Sequence, residues 1–505
     1  MIAKKIMFLS ALWVGLTVAQ QPKESDYYKV TTFEIPKGEV IEATGFAVMG
    51  DGKVAVSSRR GQIWTISNPD KYPDKPSAWK LFAEYLHEPL GIAFQDGWLY
   101  ATQRPEVTRM KDIDGDGRAD KFETVSDQWG MSGDYHEFTF GSRFDPEGNI
   151  WTVHCLTGSY TSEALYRGWV IKVNKDGTAV PVGCGVRSPG GIGVNLQGDA
   201  FYTDNQGTWN GSSSLKWVKP GSFLGNPNGN YHFKHTGGVM GKRPPEPNYS
   251  GDGRVREARK RIPTYVPPAV VLPHGKVGQS PTAVEPDLSE GKFGPFAGQM
   301  FVAEQTYGQV QRVFLEKING MYQGAVFHFM KGFSSGNIGL MITSEGAMYT
   351  GGSSRGWGSW GTKLDSVERV DWTGKIPFEI HQMRARPDGF ELTFTQPIDP
   401  DSAKPASFSC SAYTYRYSKG YGSPELENVD PEIKVTSVAS DGLSLRLKLT
   451  PLTKGHVHEL DASGLRSTKG LNLLHDTAYY TLNEIPEQIV TSIDKSLLFS
   501  LALRF

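Results

Sequence analysis

The sequence predicts an all-β protein: a six-bladed β-propeller over residues 30–375, followed by an Ig-like β-sandwich over 377–484. Three observations predict it. Glycine (58) and proline (31) are plentiful among the 505 residues, which suits short strands joined by many turns. Long stretches of helical periodicity are lacking between the N-terminus and the last twenty residues. A turn glycine followed by an alternating apolar strand recurs six times.

The recurring turns are Asp51-Gly52, Asp96-Gly97, Glu147-Gly148, Gln197-Gly198, Ala297-Gly298 and Glu345-Gly346. Each precedes a strand such as VAVSS, WLYATQR, NIWTV or AFYTD. The glycines lie 45, 51, 50, 100 and 48 residues apart. Steps near 45–50 match one four-stranded blade. The 100-residue step holds a basic Pro/Gly-rich stretch, about 209–295, and reads as an insertion; counting it as a hidden blade gives seven. An ordinary β-sandwich does not explain six copies at near-constant spacing, whereas closing a ring leaves only short, protected sheet edges.

After Trp372-Thr373-Gly374 the pattern changes to short alternating strands (FELTFTQPID, IKVTSV, SLRLKL, HVHELDAS, AYYTLN), the basis of the Ig-like expectation. At the N-terminus Lys4 and Lys5 precede an apolar run, Ile6 to Leu16, and the small residues Thr17-Val18-Ala19. This reads as a signal peptide over 1–19 and implies export to a periplasmic or extracellular space. The run is too short to span a bilayer, so no transmembrane anchor is expected. Residues 486–505 read as a tail, either a docking helix or unstructured. Cys155 and Cys184 could pair in an oxidising compartment, leaving Cys410 odd. A formal net charge of −1 offers no global field for nucleic acid.

One motif points to a metal. Asp112, Asp114, Asp116, Asp120 and Glu123 fall at positions 1, 3, 5, 9 and 12 of a twelve-residue calcium loop, with Gly117 at position 6 and the Arg118 carbonyl at position 7. Calcium takes hard oxygen ligands, and five acids so close repel one another without a cation. With strands on both sides, the expected role is structural.

Other segments resemble the glucose/sorbosone dehydrogenase family over about residues 30–372. Asp134-Tyr135-His136-Glu137, with Phe140-Gly141-Ser142-Arg143 and Asp145-Pro146-Glu147-Gly148, is similar to its catalytic-histidine segment. Gly185-Val186-Arg187-Ser188-Pro189-Gly190-Gly191 resembles its G-x-R-N-P-x-G element. Asp204-Asn205-Gln206-Gly207 and Gly221-Ser222-Phe223-Leu224-Gly225-Asn226-Pro227 follow in the family's order, and Ser57 to Ile63 matches in the opening blade. The resemblance implies a six-bladed propeller that oxidises a sugar with pyrroloquinoline quinone (PQQ) and calcium. It implies that His136 takes the hydroxyl proton, that Asp134 orients it, and that Arg187 meets the quinone oxygens. The carbonyls of Gly207 and Thr208 would hold the cofactor's calcium, and His274 falls in the next cofactor-facing turn. Imidazole is suited to base catalysis near neutral pH.

The sequence also departs from that pattern. Thr306, Gly336 and Ile338 stand where the family places cations, Ser188 replaces an asparagine, and Ser212-Ser213-Ser214 lacks an acidic pair. Arg143, Lys276 and Lys331 are the basic residues that could compensate for a trianionic cofactor. The basic residues between Lys242 and Arg261 read either as a lid for an anionic sugar or as a solvated loop. Trp357 and Trp360 are candidates for stacking on sugar faces, or for packing at the rim. The leading expectation is therefore an exported PQQ-type sugar oxidoreductase whose electron acceptor the sequence does not name. The alternatives are a non-quinone lyase or hydrolase on the same fold, and a non-catalytic carbohydrate-binding propeller.

Overall fold

The computed structural model describes residues 21–156, 164–248 and 253–487. The expected signal peptide, and the expected tail from 488 onward, lie outside the described residues.

Six antiparallel sheets form the propeller. Blade 1 holds Ala43–Val48, Val54–Ser58, Gln62–Ser67 and Ala78–Ala83; blade 2 holds Ile92–Gln95, Trp98–Thr102, Val107–Lys111 and Lys121–Ser126. Blade 3 runs Thr139–Phe144, Ile150–His154, Trp169–Val173 and Ala179–Cys184, and blade 4 runs Pro189–Val194, Ala200–Asp204, Ser213–Trp217 and Val270–Leu272. Blade 5 comprises Pro281–Pro286, Met300–Glu304, Gln309–Ile318 and Met321–Lys331. Blade 6 comprises Asn337–Ile342, Ala347–Ser353 and Asp365–Trp372, and its outermost strand is the N-terminal Tyr28–Thr32. Each first strand packs on the next, and the sixth on the first, which closes the ring. The count is six, not seven.

All six repeat glycines sit in the turn between a blade's first two strands, with φ from +77° to +86°. That backbone region is costly for any residue with a Cβ, which is why the repeat is marked by glycine. The 100-residue step also acquires its reason. Residues 209–295 are not all insertion, because they contain two strands of blade 4 and the first of blade 5. The excursion proper lies between Ser213–Trp217 and Val270–Leu272. It adds Ser222–Phe223 to blade 3 in parallel, then a 3-10 segment, Pro227–His235, and a short helix, Val255–Arg261.

The C-terminal region is fused to the ring. The last two strands of blade 5 are 10 and 11 residues long, joined at Asn319-Gly320, both with positive φ. Met321–Lys331 pairs with Thr477–Leu482, and the sheet continues through His456–Asp461 and Ser409–Thr414 to Leu426–Val429. A second sheet holds Ile380–Arg386, Gly389–Phe394, Ser444–Thr450 and Glu432–Val438. Phe314 and Phe327 of blade 5 share one buried core with Phe390, Leu392, Leu447 and Tyr480 of these sheets. The basic excursion docks here too: Arg254 and Arg256 pair with Glu427, and Arg259 with Glu484. These three arginines therefore belong to a docking surface, whereas Arg243 and Lys260 of the same stretch are exposed and pair with Glu246 and Glu257 beside them. Cys155, Cys184 and Cys410 are buried, and no disulfide joins Cys155 to Cys184. No helix among the described residues is long and apolar enough to cross a membrane.

Candidate functional site

Antiparallel order fixes which turns share an end of the ring. Connections entering each blade, and turns between second and third strands, open on one mouth. The six glycine turns and the turns between third and fourth strands open on the other. His136, Arg187, Gly207, Thr208, His274, Thr306, Trp357 and Trp360 thus all fall on one mouth. The acidic loop, between the third and fourth strands of blade 2, falls on the opposite end.

His136 is half-buried in the connection entering blade 3. The Asp134 carboxylate accepts the backbone N–H of His136 at 2.9 Å, so it caps the turn that carries the imidazole. Arg104 holds the same turn from one side, donating to the carbonyls of Asp134 (2.9 Å) and Tyr135 (2.8 Å) while pairing with Glu88. Arg167 holds it from beneath. Fully buried, it donates to the carbonyls of Gly130, Phe138 and Arg104 and to the Thr139 hydroxyl. Burial pulls its guanidinium down to about 10, still well above neutral pH, so it remains a cation. Buried Glu137 accepts from the backbone N–H and hydroxyl of Ser132. The Tyr135 ring meets the imidazole edge-on at 4.9 Å.

Arg187 enters blade 4 only 4% exposed. Its turn is fixed by Asp204, which accepts the Ser188 N–H at 2.7 Å and forms a buried ion pair with Lys216 at 2.9 Å. The Arg187 guanidinium donates to the Gln206 carbonyl at 2.9 Å and lies flat against Gly207, where a Cβ would stand 1.9 Å from its Cζ. A loop of the C-terminal region covers this point. Tyr421 bridges Thr208 through backbone bonds, and its ring lies 5.1 Å from the guanidinium carbon of Arg187.

The calcium that the resemblance places on the Gly207 carbonyl does not fit these residues. The Gly207 carbonyl already accepts from Asn210 N–H and from Gly422 N–H, both at 3.1 Å, which uses the two lone pairs a carbonyl offers. Lys276 pairs with Glu425 and Glu459 of the C-terminal region, at 2.8 and 2.6 Å. Arg143 lies in the ring's centre, paired with Glu285 of blade 5 and donating to the Ile92 and Leu340 carbonyls. Neither is turned to a trianion at the mouth. His274 is exposed, in a turn whose N–H donates to the Ser212 hydroxyl. Trp357 and Trp360 are exposed, Trp360 meeting the Tyr307 ring at 4.6 Å.

At the opposite end Asp112, Asp114 and Asp116 offer carboxylate oxygens all within 4.8 Å of one another. Asp120 instead accepts the N–H groups of Ile113 and Asp114. Glu123 stands in strand Lys121–Ser126, paired with Lys121 and Arg109, which together hold its carboxyl below the usual range. It is not gathered with the three aspartates, because the chain has already straightened into the strand. Arg118 sends its guanidinium to Glu84.

Residues 53–236 match the model of a domain of unknown function (DUF7133). No curated protein matches the chain. Solved structures similar to it include a putative oxidoreductase (glucose dehydrogenase) from Thermus thermophilus, at 18% identity and TM-score 0.48, covering 68% of this chain and 99% of that one. The PQQ-bound aldose sugar dehydrogenase of Streptomyces coelicolor is similar at 15% identity and TM-score 0.47, covering 68% and 98%. The PQQ domain of pyranose dehydrogenase from Coprinopsis cinerea follows at 12% identity and TM-score 0.45, covering 68% and 95%.

Three residues of the mouth escaped the sequence reading: Arg104, Arg167 and Tyr421. The arginines have no local signature. Tyr421 has one, since Gly420-Tyr421-Gly422 repeats the glycine-flanked aromatic pattern that singles out Trp357.

Proposed function

We propose that the protein is an exported enzyme acting on a carbohydrate at the propeller mouth, with His136 taking a proton from a sugar hydroxyl, as in sugar oxidation. One observation carries this reading. His136 is an imidazole at the mouth whose turn is held by two arginines and a capping aspartate. A base must sit within hydrogen-bond reach of its proton, so fixing the turn is what catalysis requires. Oxidation also removes a hydride from the carbon, which a quinone or other two-electron acceptor would have to take; the Gly207 carbonyl, already engaged, would not hold that acceptor's calcium. That engagement favours a second reading, in which the same His136 and Arg187 work without redox chemistry on an acidic glycan. Calcium, in either reading, is bound structurally by Asp112, Asp114 and Asp116, away from the chemistry.

The test is dye reduction by the purified chain with a sugar panel, with and without PQQ and calcium, beside release of unsaturated or shorter sugars from a uronate polymer. His136→Ala should lower the active assay about 100-fold or more, the usual worth of a positioned base. Glycan cleavage without dye reduction would establish the second reading. Silence in both assays would leave a carbohydrate-binding propeller.

A further inference from the structure

The C-terminal region does more than lean on the ring. Its segment 415–423 is tied to the blade 4 turn 207–211 strand by strand. Trp209 N–H donates to the Ser418 carbonyl at 2.8 Å, Ser423 N–H to Gly211 at 2.9 Å, and Gly422 N–H to Gly207 at 3.1 Å. The contact is also close enough to restrict side chains. A Cβ on Gly211 would stand 2.9 Å from the Arg416 carbonyl, and one on Gly422 would stand 2.7 Å from the Gln206 side chain. Such a fit fixes where the residue between Gly420 and Gly422 must be.

That residue is Tyr421, and it is 73% exposed. A backbone pinned by bonds on both sides, carrying a large ring that is left in solvent, is a poor docking contact. One side of it rests on Arg187, whose guanidinium is held by the Gln206 carbonyl. The rest of the ring stands at the mouth, beside the blade that follows His136. An aromatic face on a backbone held this way, with one side against Arg187, suits the apolar face of a sugar ring, because the chain that carries it need not be ordered on binding. We infer that Tyr421, supplied by the C-terminal region, is a substrate contact of the mouth, and that its ring, backed by Arg187, is the platform on which the sugar stacks.

This inference rests on the carbohydrate reading above, and the experiment separates the two. Calorimetry with glucose, galactose and a galacturonate oligomer is run on the parent chain, Tyr421→Ala and Tyr421→Phe. The parent binds at least one of these sugars. Tyr421→Ala weakens that binding about tenfold, corresponding to about 1.4 kcal/mol, while Tyr421→Phe stays within about twofold. A second measurement follows phenylglyoxal modification of Arg187 by peptide mass spectrometry. Labelling should be slow in the parent, slower still with the bound sugar, and fast in Tyr421→Ala. Parent-like binding by Tyr421→Ala, or a bound sugar that leaves Arg187 labelling unchanged, overturns the inference and spares the carbohydrate reading. A parent that binds none of the sugars overturns both.

Discussion

The turns that carry His136 and Arg187 enter neighbouring blades at the same mouth, yet they are stabilised by different means. Among the described residues, the His136 turn is held by the ring: Arg104 of blade 2, buried Arg167 of blade 3 and the Asp134 cap. The Arg187 turn is held from within by the buried Asp204–Lys216 pair and from outside by segment 415–423. Half of the mouth therefore belongs to the propeller, and half is a joint product of the propeller and the C-terminal region. The difference teaches where to cut if the two halves are to be separated.

The largest effect should come from Lys216→Ala. It leaves Asp204 buried without its cation, at a cost of about 4 kcal/mol, read as a shift of the urea midpoint. Hydrogen exchange should rise at the Ser188 amide and stay unchanged at His136. Equal loosening of both amides would show that the two turns are one unit.

Next comes the fastening of the C-terminal region itself. His475 donates toward Glu379 at 2.7 Å and Glu24 at 3.2 Å, joining that region to the N-terminal segment. Burial pushes its imidazole down, but the Glu379 and Glu24 carboxylates outweigh this and raise it to about 9. The folded state thus holds a proton that an unfolded histidine, near ~6.5, releases. This stabilisation is complete below pH ~6.5 and falls as pH rises through 9, amounting to about 3 kcal/mol. Urea midpoints measured from pH 6 to 9.5 should decline in the parent and be nearly flat over that window in His475→Gln. A decline that persists in the variant would place the titrating group elsewhere.

A smaller effect is expected from Arg167→Met, which strips hydrogen bonds from three backbone carbonyls under the His136 turn and costs about 2 kcal/mol. Exchange should now rise at His136 and not at Ser188, the mirror of the Lys216 result. The smallest effect belongs to the far end. Chelator should lower the melting temperature by a few degrees, Asp114→Ala should abolish that dependence, and neither should change sugar binding at the mouth.

What the sequence made legible follows from how local each feature is. The blades announce themselves because a tight turn needs positive φ and glycine supplies it, six times over. The fold could therefore be counted from Gly52 to Gly346. Asp112, Asp114 and Asp116 are legible for the same reason, since a loop can be read within its own twelve residues. Glu123 misleads there, because strand pairing with Arg109 takes it before a metal could. The mouth is legible only in part: His136 and Arg187 carry local motifs, whereas the contact between Thr208 and Tyr421 joins residues more than two hundred apart. Nor does an alternating pattern such as TAYYTL say which edge it will join, so the union of Thr477–Leu482 with blade 5 stays hidden.

That union has a consequence for self-association. A propeller blade ends in a strand whose outer backbone groups face solvent, ready to template a strand from another chain. Blade 5 passes this liability outward, through four more strands, to Leu426–Val429. There the extension stops: the strand has four residues, its pairing with Ser409–Thr414 is irregular, and Glu427 has φ of +56°. Arg254 and Arg256 clamp the Glu427 carboxylate. A short, kinked, charged rim offers no straight ladder to a newcomer, so the molecule can lengthen one blade into an eight-stranded sheet and still remain closed to fibre growth along it.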